Sequence, residues 1–203
     1  MMRIRQERGF TLVDILAALA LVGIVTAMAI PMASSSSRGF RIRGDARSIA
    51  NLVALAKMRA ASRFSRARIR ADLTAGTYRL EVWDKDANGG AGAWAVDGGD
   101  VPLSQGVRFG FGAIAQPPPN TQAAIAQSPL CTGPTSLTAD LTADTACIVF
   151  NSRGVPVDTA GSPLGGNALY ITDGSGVYAT TITATPLVRQ WWAGSAAAAW
   201  VTR

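Results

Sequence analysis

Apolar and polar positions divide the chain into three regimes. Residues 1–9 are polar, with Arg3, Arg5 and Arg8 against the single acid Glu7. Phe10 opens an apolar run that Asp14 interrupts near its start, and no charged residue occurs from Ile15 to Ser37. A helix of that length is long enough to cross a bilayer. Ser34 to Ser37, followed by Arg38 and Gly39, reads as a local weakness in the helix. From Phe40 the helical period resumes. Ile42, Ala46, Ile49, Val53, Ala56, Ala60 and Phe64 recur at three- and four-residue spacing and predict one apolar face. Arg41, Arg47, Lys57, Arg59 and Arg63 lie largely off that stripe. Helix throughout from Phe10 to about Phe64 would extend roughly 80 Å at about 1.5 Å per residue.

The pattern then changes to short alternating runs. Residues 67–73 and 77–83 alternate well and are joined by Thr74-Ala75-Gly76, a hairpin signal. Residues 93–96, 107–111, 146–150, 168–172 and 178–184 are further strand candidates. Between them lie a Pro-rich connection, 116–120, and a Ser/Thr/Ala-rich stretch reaching Asp144. The latter is long for a loop inside a compact domain. The expected class is α+β: a long N-terminal helix, its first half spanning a membrane and its second half packed on an antiparallel sheet. The expected segments are 1–9, a basic start; 10–37, a transmembrane helix; 38–66, an amphipathic continuation; and 67–203, a β domain.

Charge sharpens this division. The net +6 conceals ten Lys/Arg against Asp14 and Asp45 between Phe10 and Arg70, while six Lys/Arg face ten acids from Ala71 onward. The basic character belongs to the stem, which could meet anionic lipid, acidic faces of partner subunits or nucleic acid. Positive charge ahead of an apolar run holds that end in the cytoplasm and sends the remainder outward. Cys131 and Cys147 would then lie in an oxidising compartment, where a disulfide is the default and two buried thiols the alternative. The bridge would close a loop of about 17 residues and add roughly 3 kcal/mol.

Asp14 is the anomaly. A carboxylate inside an apolar helix is expensive and marks function with a partner nearby. The stretch from Arg8 to Ile24, R-G-F-T-L-V-D-I-L-A-A-L-A-L-V-G-I, resembles the prepilin signature of type IV pilins and type II secretion pseudopilins. The resemblance implies a pilin fold and cleavage between Gly9 and Phe10 by prepilin peptidase. It also implies N-methylation of the new Phe10 amine and a helix-kinking Pro31, where a backbone hydrogen bond is lost. The family's Glu is here Asp14, one methylene shorter, which would neutralise the N-terminal amine of a neighbouring subunit. The order of elements is also similar to GspH/FimT-like minor pilins, with Phe150-Asn151-Ser152-Arg153-Gly154 matching a later family segment.

What the resemblance implies is a structural minor pilin or pseudopilin of a type IV pilus or type II secretion system. Its setting would be the bacterial inner membrane, single-pass, N-terminus cytoplasmic and domain periplasmic, before entry into the pilus or pseudopilus. Its partners would be other pilin subunits and prepilin peptidase. Two simpler readings compete: an ordinary single-span anchor, and a conventional signal peptide cut after Ala27-Met28-Ala29. Both leave Asp14 unexplained.

Other chemistry is sparse. The chain has no His, the commonest general base and metal ligand, and no spacing of Ser, Cys or acids suggests catalysis, so neither an enzyme nor a small-molecule substrate is expected. Asp84-x-Asp86-x-Asn88-Gly89 copies the first half of a calcium loop, but the twelfth position is Ala95, and a polar hairpin turn between 78–83 and 93–96 is the simpler reading. The stem arginines (Arg38, Arg41, Arg43, Arg47, Arg59, Arg63, Arg66, Arg68, Arg70) could meet phosphates or simply solvate the helix. The alternative function is a DNA-binding competence pilin, contacting nucleic acid through Arg189 and Arg203 beside Trp191, Trp192 and Trp200.

Overall fold

The computed structural model describes residues 12–194 and 199–203, with the side chains of 28–37 outside the description. The chain divides into two compact units, Met1–Gly39 and Phe40–Arg203. Helix α1 (Leu12–Ser62) begins in the first and ends in the second.

In the first unit every described side chain of α1 up to Ala27 is exposed. Two expectations are corrected here. Among the described residues no helix is long and apolar enough to cross a membrane. Within this segment Thr26 Oγ1 donates back to the Val22 carbonyl at 2.8 Å. The membrane-spanning first half of the predicted fold, and with it a single-pass inner-membrane placement, is therefore not supported. The second correction concerns the β region, which forms two antiparallel sheets rather than one.

In the second unit, α1 buries Ile42, Ala46, Ile49, Val53, Ala56 and Ala60, each at 3% exposure or less. Three of the six are alanines, which let the helix axis approach the strands closely. The stripe stops one turn earlier than the spacing predicts. Phe64 is 77% exposed and adopts φ +48° just beyond the helix. Ser65 N–H donates to the Ala60 carbonyl at 3.2 Å, the closing bond of a Schellman end with Phe64 in the left-handed position usually held by glycine.

The first sheet runs β3-β2-β1-β6-β7: β3 (Ala93–Val96), β2 (Thr77–Asp84), β1 (Ala67–Asp72), β6 (Thr145–Phe150) and β7 (Pro156–Val157), with β4 (Val101–Pro102) also on β2. The β1–β2 turn is set by Asp72, whose Oδ1 accepts from Thr74 and Ala75 N–H at 3.1 and 2.7 Å, and by Gly76 at φ +67°. The second sheet runs β11-β10-β9-β8-β5: β11 (Val201–Thr202), β10 (Val188–Ala193), β9 (Val177–Ile182), β8 (Asn167–Thr172) and β5 (Arg108–Phe109). One core joins Ile49 and Val53 of the helix, Ile69, Leu80 and Ile148 of the first sheet, and Leu169, Ile171 and Ile182 of the second. Each such side chain contributes about 1.5–3 kcal/mol by leaving water.

A smaller cluster covers the other face of the second sheet, where Tyr170, Ala179 and Trp191 meet Ile114, Phe111 and Trp200. The segment expected to be a long loop is thus a packed layer. Gln127 accepts from Tyr170 N–H at 2.9 Å and donates to its carbonyl at 2.9 Å, so a side chain completes the edge of β8. Cys131 and Cys147 form a disulfide that ties this layer to β6.

Candidate functional site

The feature of the first unit that calls for a partner is its apolar surface. Leu12, Val13, Ile15, Leu16, Leu19, Leu21, Val22, Ile24 and Val25 are each 54–75% exposed. A helix that is apolar all round is stable only when something covers it. Asp14 lies exposed in the first described turn of α1, where the helix dipole favours a carboxylate. Gly9 and Phe10 lie outside the described residues. Pro31 falls within the bounds of α1, and its side chain is among those outside the description.

Polar contacts also fasten the stem of the second unit to the β region. Asp45 accepts from Ser104 through backbone N–H and Oγ, both at 2.9 Å. Arg43 Nε donates to the Tyr178 hydroxyl at 3.1 Å, and Gln190 Nε2 donates to the Ala46 carbonyl at 2.7 Å. Arg59 pairs with Asp97 at 2.9 Å. Burial, with a hydrogen bond to Ser48 opposing it and the Asp45 charge adding to it, holds the Tyr78 hydroxyl above its ordinary pKa. Arg43 and Arg59, read from sequence as free to meet phosphates or to solvate the helix, are instead engaged within the fold.

Arg68 departs furthest from that expectation. It is 1% exposed, donates from Nε to Glu81 at 2.5 Å and from Nη1 to the Thr132 carbonyl and hydroxyl at 2.9 and 3.0 Å. Its guanidinium lies 4.1 Å from the Trp94 ring centroid. Burial lowers its pKa to about 10, with the Glu81 charge working the other way. Such a group cannot reach an external phosphate. Alternation along β1 places Arg68 opposite Ile69, on a face that would be wet if the layer following Cys131 did not cover it.

Arg189 and Arg203 are brought together. With Ala50, Asn51, Val188, Gln190 and Thr202 they line an open groove of about 440 Å³ between α1 and β10. Arg203 N–H donates to the Gln190 carbonyl at 3.0 Å, and its guanidinium lies 5.2 Å from the Trp192 ring centroid. Trp191 is only 7% exposed and donates Nε1 to Thr181 Oγ1 at 2.9 Å. Trp200 donates Nε1 to the Gln116 carbonyl at 2.9 Å. The three tryptophans are thus committed to packing or internal contacts.

The Asp84, Asp86 and Asn88 run forms a turn. Asp84 Oδ1 accepts from Asp86 N–H at 3.0 Å, and a one-turn 3-10 helix follows at Asn88–Gly90. Among the described residues no group of three or more His, Cys, Asp or Glu is placed to share a metal ion. No family model, curated protein or solved structure matches the chain.

Proposed function

We infer that the chain is a structural subunit of a type IV pilus or type II secretion pseudopilus, a minor pilin or pseudopilin. On this reading prepilin peptidase cuts between Gly9 and Phe10, and the Phe10 amine is methylated. The observation that carries it is the pairing of a sheathless apolar helix with an acid in its first turn: the exposed leucines, isoleucines and valines from Leu12 to Val25 around Asp14. Equivalent helices of neighbouring subunits supply the apolar cover, and the amine of one neighbour supplies the counter-charge for Asp14. Two charges that a low-dielectric bundle would penalise singly become tolerable as a pair.

The test is replacement of Asp14. Asp14→Ala abolishes co-sedimentation of the subunit with sheared filaments, while Asp14→Glu retains it. Wild-type recovery of Asp14→Ala in the filament fraction would overturn the reading.

A second reading, a DNA-binding competence pilin, has one observation in its favour: Arg189 and Arg203 share a groove. If it holds, double replacement by alanine lowers affinity for a single-stranded oligonucleotide and flattens its salt dependence. Binding of wild type that does not change with salt would remove this reading.

A further inference from the structure

We propose that Asn88 is a self-modifying site, converting to aspartate and isoaspartate through a cyclic imide. Of the five asparagines, Asn51, Asn88, Asn120, Asn151 and Asn167, Asn88 alone is followed by glycine. The reaction needs the next residue's backbone nitrogen to attack the Asn side-chain carbonyl carbon, so a side chain on that residue obstructs it. At Gly89 a Cβ would meet nothing within 4 Å, so the approach is open to the solvent side as well.

The surrounding loop leaves the reacting atoms uncommitted. Asn88 is exposed at φ +54°, a left-handed conformation that asparagine tolerates. The turn is held by Gly90 and Gly92 N–H on the Ala87 carbonyl, at 3.1 and 2.9 Å, and by Ala91 N–H on the Asn88 carbonyl at 3.2 Å. The Gly89 N–H takes part in none of these. Among the described residues nothing hydrogen-bonds the Asn88 side chain. Glycines at 89, 90 and 92 let the backbone reach the attack geometry at little steric cost. The downstream anchor is firm, since a Cβ at Gly92 would come within 2.4 Å of the Trp83 ring.

The other asparagines are restrained. Asn151 Oδ1 accepts from Arg153 and Val155 N–H at 2.9 and 3.1 Å. Asn167 is 2% exposed and donates to the Leu164 carbonyl at 3.2 Å. Asn51 sits in α1, and Asn120 precedes the β-branched Thr121.

The chemistry balances without a co-reactant other than water. Gly89 N forms a bond to Asn88 Cγ, and the carbonyl–amide C–N bond breaks, releasing ammonia. Water then opens the imide at either carbonyl, giving aspartate or isoaspartate and one new carboxylate. The product adds a negative charge two residues beyond Asp86 and four beyond Asp84, so three carboxylates then alternate along the loop.

The test is incubation of the full, folded chain at mildly alkaline pH, followed by tryptic mapping and isoelectric focusing. The expected result is a one-dalton gain confined to the peptide spanning 86–108, resolved into two forms, with ammonia release and an acidic shift of the whole protein. Asn88→Gln and Gly89→Val both suppress the gain. An unchanged 86–108 peptide, or conversion that begins only after denaturation, would overturn the proposal, as would faster conversion at Asn120 or Asn151.

Discussion

Arg68 Nε and Glu81 lie 2.5 Å apart across β1 and β2, with side chains 1% and 3% exposed. Arg79 meets the other Glu81 oxygen at 2.8 Å and reaches Asp100 at 3.2 Å. A buried carboxylate is thereby shared by two cations, one sealed and one at the surface. Arg68 Nη2 finds no hydrogen-bond partner among the described residues. The cluster carries a real desolvation cost, which Thr132 and the Trp94 ring offset in part.

Glu81→Gln is expected to destabilise the protein by about 3 kcal/mol, because it strands a buried guanidinium. A double replacement by apolar residues, Arg68→Met with Glu81→Leu, costs less than either single change. Denaturant melts of wild type, Arg68→Met, Glu81→Leu and the double variant measure the coupling, and strict additivity would show that the pair does not interact.

The disulfide links the packed layer to the first sheet, and Cys131 N–H donates to Thr145 Oγ1 at 3.0 Å beside it. Its removal by Cys131→Ser with Cys147→Ser should lower stability by about 3 kcal/mol, on the loop-closure argument. The loss should be visible as a lower Tm without reductant, and reductant should shift only the wild type.

Phe64 is the reverse case. Its ring is 77% exposed while its backbone is left-handed, so the side chain contributes strain without burial. Phe64→Gly should raise stability by about 1 kcal/mol, the left-handed penalty for a residue with a Cβ. Thermal unfolding tests it, and a fall in Tm would mean that the ring packs against something in the folded chain.

The hairpin between β8 and β9 supplies a pH-dependent contribution. Burial pushes the Asp173 carboxyl upward, but hydrogen bonds from Ser175 Oγ and N–H and from Gly176 N–H outweigh it and hold the group below its ordinary range. A depressed folded-state pKa means that this stabilisation is complete above the unfolded value of about 3.9 and is lost as pH falls through the folded value. Amide exchange in 173–176 should therefore accelerate in acid relative to neutral pH, corrected for intrinsic rates. Asp173→Asn should remove that dependence.

Local order was legible where one interaction dominates. Three- and four-residue spacing marked the buried face from Ile42 to Ala60, and alternation with a Gly-containing turn marked β1 and β2. Strands 67–73, 77–83 and 93–96 fall within a residue of their predicted limits. Less legible were features set by distant chain. Phe64 fits the apolar stripe but falls two residues past the end of the helix at Ser62. Arg68 reads as a surface cation because nothing local reveals the layer that closes over it. The strand β10 was missed because Arg189 and Gln190 interrupt its apolar pattern, whereas its partners, β9 and α1, supply the reason it is there. The 110–144 segment packs on both sheets, Ile114 and Ile125 against the second and Thr132 against Arg68 of the first, an arrangement that no short window encodes. The candidate site was legible in part: Asp14 stood out as a charge in an apolar run, while the shared groove of Arg189 and Arg203 depends on the pairing of β10 with β11.

The assembly account rests on a single covalent event that frees an amine next to Asp14. Mass spectrometry of the mature protein's N-terminal peptide, taken from the native host, reads it directly. The account predicts a chain beginning at Phe10 with one methyl group on its amine. A chain beginning after Ala29, or one retaining Gly9, would contradict it.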